Sequence, residues 1–350
     1  VKIIRDNQVV VTGLAAISAA GVGTAALLEA LGDKESRLRP VPESILGVPG
    51  HKWGKAESFR AADFMPPMKA RKFDRCSLFA VAAAGMALKD AVIEPVRLDP
   101  TRIGIVLGCG FGGIANSEEF LRGFFRSGAE GMIPMLFPNT VPNAPASNAS
   151  IEHNLQGPNV TLIQRFCSAE TALLMAQRFL EEDRADIILT GGVDELTPVM
   201  LQGFRATGQL RGFGGGFGEG AGMLVLERSR HALQRGAHIK ATLGQVRTIG
   251  RLLPDDGGEG ASRLLPAGLP VSLISLSGSA VTEKRLVERL PYAELLETGP
   301  LLGRSLAMGG LAMTALVLGL KDGDKGLHLA ASPEGPYFAI DFKGGAPVQS

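Results

Sequence analysis

Few side chains in this sequence could carry covalent or acid–base chemistry: three cysteines, Cys76, Cys109 and Cys167, and five histidines, His51, His153, His231, His238 and His328. Cys167 stands apart, because it falls where the apolar run Val160-Thr161-Leu162-Ile163 gives way to a helix-forming stretch from Ala169 to Glu182. A thiol at a helix N-terminus has its thiolate stabilised by backbone N–H groups without intrahelical partners, which would suit a nucleophile. The position equally suits a small apolar residue packed under the helix, and both readings stay open. The cysteines lack the paired Cys-x-x-Cys spacing of zinc or redox sites, so no metal is expected and the thiols read as reduced and cytoplasmic.

The elements that would position Cys167 follow an α/β order. Val160 to Gln164 is expected as a strand, followed by the helix and by a second strand over Ile187 to Leu189. On an alternating strand Gln164 would share a face with Phe166, as a polar remnant near a pocket or as a plain strand amide. Upstream, the Val9–Leu14 run reads as a strand, Asp74 to Ala91 as a long Ala-rich helix, Ile103 to Gly108 as a strand and Ser117 to Phe125 as a helix. Gly222 to Glu227 closes the first half. Val271 to Leu276, Glu283 to Leu290 and Ala293 to Glu297 repeat strand, helix and strand, and two period-two runs, Leu327–Ala330 and Tyr337–Phe342, are expected to pair antiparallel. Residues 208–220 and 248–268 are Gly-rich and read as surface loops.

With 350 residues and 45% hydrophobic content, the chain can bury a large α/β core. A net charge of +1 with dispersed Lys and Arg supplies no basic stripe, which argues against nucleic acid as partner. Leu301 to Leu320 is apolar enough to suggest a membrane span, but Arg304, Ser305 and Gly309-Gly310 interrupt it, so a buried helix and no membrane partner are expected. Val1 to Asp6 lacks the charged leader and apolar core of a signal peptide. Gly108 to Gly113 superficially resembles a dinucleotide turn, yet no suitable acidic residue follows about twenty residues later.

Several motifs, in order, resemble those of the β-ketoacyl synthase family. Val10-Val11-Thr12-Gly13-Leu14 is similar to its opening strand, Lys72-Phe73-Asp74-Arg75 to the start of its long helix, and Gly108-Cys109-Gly110-Phe111-Gly112-Gly113 to its glycine turn. Residues 134–143 resemble its dimer-crossing loop, and Gly218-Glu219-Gly220-Ala221-Gly222 its glycine hairpin. The resemblance implies a thiolase-like fold, two βαβαβ-type halves in a layered α-β-α-β-α arrangement. An N-terminal half over 1–240 would include the loop at 132–143 and the elbow at 157–182, and a shortened, degenerate C-terminal half would cover 241–350.

The same resemblance implies that the chemistry has been lost. The ungapped run from Gly157-Pro158 to Gly191-Gly192 keeps the family's spacing only with Phe166 in the nucleophile's place, so Cys167 arrives one residue late. Decarboxylative condensation needs a thiolate to carry the acyl chain and two imidazoles as hydrogen-bond donors. Ser275-Leu276-Ser277-Gly278-Ser279 resembles the first histidine motif with Ser277 in the histidine's place. In Gly299 to Arg304, which resembles the later motif, Gly299 stands for its lysine and Arg304 for its second histidine. The gating loop has no match near Ala339 to Gly345. The five histidines fall outside these motifs and are expected on the surface or in loops.

Phe166 would then block the acyl pocket, as any core aromatic fills its site. Such a subunit resembles the chain-length factor of type II polyketide and aryl polyene systems, an inactive partner of a catalytic ketosynthase. By that resemblance Met132, Met135, Leu136 and Phe137 reach the partner's tunnel, unless the loop simply packs on its own core. Expected partners are a catalytic ketosynthase subunit and an acyl carrier protein whose 4′-phosphopantetheine arm makes any further cofactor unnecessary. Two alternatives remain: an active 3-oxoacyl-[acyl-carrier-protein] synthase using Cys167 with Ser277 or Arg304 as unconventional partners, and a non-catalytic homodimer that binds acyl chains or carrier protein.

Overall fold

The computed structural model describes residues 8–250, 263–265, 271–282 and 294–345. The helix expected over Glu283 to Leu290, and 251–262 within the Gly-rich stretch, lie outside them. In the N-terminal half the main strands are β1 (Val9–Ser18), β2 (Ile103–Cys109), β3 (Asn159–Leu162), β4 (Ile187–Asp194) and β5 (Gly220–Arg228). In the C-terminal half they are β6 (Ala241–Ile249), β7 (Leu273–Gly278), β8 (Glu294–Glu297), β9 (Lys325–Ala331) and β10 (Tyr337–Gly344).

Strand pairing reveals a repeat that the sequence barely shows. In the order β3-β2-β4-β5-β1, β2 lies parallel to β3 and β4, after which β5 and β1 follow antiparallel. The order β8-β7-β9-β10-β6 reproduces this pattern, with β7 parallel to β8 and β9 and then β10 and β6 antiparallel. Pairing of Val10 with Thr242 and Val11 with Ala241 splices the halves into one mixed sheet.

Helices fill the layers. On one face of the N-terminal strands lie α1 (Arg75–Asp90) and, after α2 (Ile114–Ser127), α3 (Ala144–Glu152). The Asp74 carboxylate caps α1 by accepting the Ser77 N–H at 2.8 Å, and the small face of Ala80, Ala83, Ala84 and Ala87 lets the helix approach the strands closely. The other face meets α4 (Ser168–Glu181) which, together with a late apolar helix, fills the layer between the two sets of strands. Two shorter helices, α5 (Pro198–Ala206) and α6 (Thr298–Leu302), flank the end of that layer. The late helix, α7 (Gly309–Gly319), is apolar all round because it has strands on both sides. Leu264 and Leu265 cover the outer face of the C-terminal strands.

Two expectations need correction. The stretch from Leu301 to Leu320 is not one helix: α6 ends at Gly303, which has φ 87°, and Arg304 bridges to Phe217 before α7 begins. The left-handed backbone at Gly303 is what interrupts it. Nor is 208–220 purely a surface loop, since Phe213 and Phe217 are fully buried and Gly216–Gly218 forms a short strand beside Lys52–Gly54. No helix among the described residues is long and apolar enough to cross a membrane.

Candidate functional site

The C-terminal ends of β2, β7 and β9 converge on the start of α4. Gly108, at the end of β2, lies so close to Ser168 that a side chain there would collide with the helix backbone. The turn into α4 differs from the expected continuous strand. β3 stops at Leu162, Gln164 leaves the extended conformation (φ −133°, ψ 45°), and Arg165–Cys167 form one tight helical turn with Arg165 at φ 52°. Ser168 fastens this elbow, accepting the Gln164 N–H at 2.9 Å through Oγ and donating to the Arg165 carbonyl at 2.7 Å. Gln164 is consequently exposed and does not share a face with the buried Phe166.

Phe166 is 3% exposed and belongs to a small core of its own with Leu196, Phe204, Phe213, Phe217 and Leu306. Its ring centroid lies 5.1 Å from that of Phe213, which is 4.5 Å from Phe204 and 4.9 Å from Phe217. These separations fall in the favourable range for tilted aromatic pairs. A Cβ on Gly212 would lie 3.1 Å from the Phe166 ring and 3.5 Å from Ser279 Oγ, so loop 210–215 closes over the ring beside the end of β7. Phenylalanine rings fill the space into which position 166 points.

Ser277 belongs to a fully enclosed polar cluster. Its hydroxyl donates to Glu170 Oε1 at 2.5 Å and lies 3.3 Å from His328 Nε2; that nitrogen is 2.8 Å from the same carboxylate oxygen, and His328 Nδ1 is 2.8 Å from Ser275 Oγ. Glu170, Ser275 and His328 are completely buried and Ser277 nearly so. His328 is therefore on a core strand, which corrects its expected place on the surface, and His231 lies on a short helix against the buried Glu227. The imidazole escaped notice because Leu327-His328-Leu329 alternates only in polarity and its acidic partner is 158 residues away in α4. The available signal is a glutamate in the first turn of an otherwise apolar helix face. Gly309, at the start of α7, lies so close to Glu170 that any side chain there would collide with the carboxylate.

Gly299 and Arg304 meet directly. A Cβ at Gly299 would stand 2.7 Å from Arg304 Cζ, so the guanidinium fills the room left by the missing side chain. Arg304 also flanks Gly214 of the loop that covers Phe166. The structure thus gathers Phe166, Ser277, Gly299 and Arg304 around the start of α4 and loop 210–215.

Cys167 turns the other way. Its thiol is fully buried in the central layer and donates to the Pro336 carbonyl at 3.2 Å, covered by the turn between β9 and β10. Burial, reinforced by the nearby charge of Glu170, pushes this thiol well above its ordinary range and favours the unreactive protonated form. Among the described residues, no group of three or more His, Cys, Asp and Glu side chains could hold a metal ion.

The model of the family "Beta-ketoacyl synthase, N-terminal domain" matches residues 6–232. The chain belongs to the β-ketoacyl synthase family. One relative, 3-oxoacyl-[acyl-carrier-protein] synthase 2 of Staphylococcus aureus (strain COL), is 30% identical over 291 residues, covering 76% of this chain and 69% of its own. Two solved structures share the thiolase-like ketosynthase fold. One, a type II polyketide synthase acyl carrier protein in complex with its ketosynthase bound to the hexaketide, aligns at TM-score 0.81 and 23% identity over 97% of this chain and 99% of that one. The ishigamide ketosynthase/chain length factor aligns at 0.82 and 21%, over 96% and 99%. In this β-ketoacyl synthase family member, the loop expected to cross to a partner presents Met135 and Phe137 to solvent, while Met132 and Leu136 are half-buried. Beside it α2, which buries none of its residues, exposes Leu121, Phe124 and Phe125, an apolar area sequence reasoning had not singled out.

Proposed function

We propose that this chain is a non-catalytic, chain-length-factor-like subunit that pairs with an active β-ketoacyl synthase and shapes the acyl tunnel in polyketide or polyene elongation. The observation that carries the reading is Phe166, a side chain that cannot form a thioester, sitting at the nucleophile's position with its buried ring against Phe213, which packs in turn on Phe204 and Phe217. Ser277 and the Gly299–Arg304 pair extend the same argument, since neither supplies an imidazole to stabilise a carbanion. The 4′-phosphopantetheine arm of a carrier protein would deliver the acyl group to the partner's thiol, with no further cofactor on this chain.

The apolar loop and helix α2 support pairing. Leu121, Phe124, Phe125, Ile133, Met135 and Phe137 lie exposed on consecutive elements, and grouped apolar exposure of this kind marks an interaction surface. Met132, Met135, Leu136 and Phe137 are the side chains assigned to the partner's tunnel; Met135 and Phe137 are exposed, and Met132 and Leu136 half-buried. The deciding experiment is co-expression with an intact ketosynthase and its carrier protein. A 1:1 complex, active only when both chains are present, is expected. Purification of this chain alone as a stable condensing homodimer would overturn the reading in favour of a Cys167 enzyme, and a stable inactive homodimer that ignores the ketosynthase would favour a binding protein.

A further inference from the structure

We infer that the cleft lined by His51, Arg205 and Arg211 is a binding site for a phosphoryl group, on a small phosphate ester or as free phosphate. The cleft has a volume of about 500 Å3 and is otherwise lined by Gly208, Leu210, Gly214 and Gly215. No acidic side chain lines it among the described residues. Arg211 makes no side-chain hydrogen bond or ion pair among those residues, and Arg205 uses its guanidinium only to donate to the Leu46 carbonyl, so both positive charges stand uncompensated. His51 Nδ1 is likewise without a partner, its ring tilted against Phe217 at 5.8 Å. A third guanidinium, that of Arg304, lies behind Gly214, with Nη1 3.0 Å from where a Cβ would stand.

Like charges gathered in a concave site with an apolar wall raise the local potential and draw in an anion. Guanidinium forks match the paired oxygens of a phosphoryl group, and a dianion answers two uncompensated cations better than a single carboxylate does. The cleft also has a consequence for the plugged site. Its wall, 208–215, is the outer side of the loop whose inner side holds Phe166 through Gly212, so an anion bridging Arg205 on α5 to Arg211 on the loop clamps the aromatic plug in place.

The test is a titration of the full chain with inorganic phosphate against sodium chloride at matched ionic strength, followed by thermal unfolding and calorimetry. A saturable, phosphate-specific rise in Tm is expected, and Arg211→Gln should weaken binding about tenfold, the loss of one charged hydrogen-bond pair. Arg126→Gln, an exposed cation outside the cleft, should leave the affinity unchanged. Glycerol 3-phosphate binding more tightly than phosphate would identify an ester as the ligand, and equal affinity would identify free phosphate. The absence of any difference from chloride, or equal weakening by Arg211→Gln and Arg126→Gln, would overturn the proposal.

Discussion

Replacing Phe166 with alanine tests whether position 166 is a packed plug or the remnant of an open pocket. The ring is 3% exposed and packs on the Phe213 ring in a buried cluster with eight further apolar side chains, so truncation removes an almost fully desolvated aromatic and leaves a cavity behind. Core Phe→Ala changes of this kind cost about 3–5 kcal/mol. For a chain of 350 residues, an unfolding entropy of about 2.1 cal/mol/K per residue sums to roughly 0.7 kcal/mol/K, which converts that loss into a fall in Tm of about 4–7 °C. Calorimetry and guanidinium unfolding of the two proteins side by side provide the assay. If the aromatic cluster were loose, or the ring merely lay across an open tunnel, truncation would cost under about 1 kcal/mol. A shift that small would refute the plug.

Four other outcomes follow from the same geometry. Phe166→Cys restores a thiol without restoring catalysis, so malonyl decarboxylation by this chain should stay at background in a radiolabel release assay, because Ser277 and Arg304, at the two histidine positions, supply no imidazole. Glu170→Gln or His328→Asn disrupts an enclosed hydrogen-bonded pair and leaves a buried polar group unsatisfied, so each should destabilise by about 1–3 kcal/mol in denaturant unfolding, against under about 1 for an exposed control such as Glu35→Gln. Burial holds Glu195 up to about 7 from 4.5, so its acid form is favoured in the folded state; the stabilisation is complete below pH 4.5 and lost as pH rises through 7. Glu195→Gln should therefore gain up to about 3 kcal/mol over wild type above pH 7, and its stability should vary less between pH 5 and 8. Phe125→Glu and Phe137→Glu, at 80% and 60% exposure, should leave Tm unchanged while abolishing co-purification with a ketosynthase.

The sequence carried the fold further than the site. Ile103–Cys109 is an apolar, β-branched run and Asp74 announces the start of α1, so local pattern sufficed for them, whereas the run expected over Val9 to Leu14 continues as a strand through Gly13 to Ser18. The repeated pairing order of the two halves depends on which strands meet, which single-strand patterns do not encode. At the elbow, periodicity extended β3 to Gln164, whereas the Ser168 side chain ends the strand early by capturing the Gln164 N–H. Phe166 stood out because spacing fixed its place. Glu170 and His328 did not, since a buried hydrogen bond joins residues 158 positions apart in the chain, and His328 has no local signature. The pairing of Arg304 with the space above Gly299 is likewise a tertiary substitution of one side chain's volume by another's.

The most direct measurement is the intact mass of each chain in a reconstituted pair after incubation with acyl-loaded carrier protein. An acyl adduct on the ketosynthase partner alone, with this chain at its unmodified mass, is the predicted result. A stoichiometric thioester on this chain, mapped to Cys167, would contradict the account.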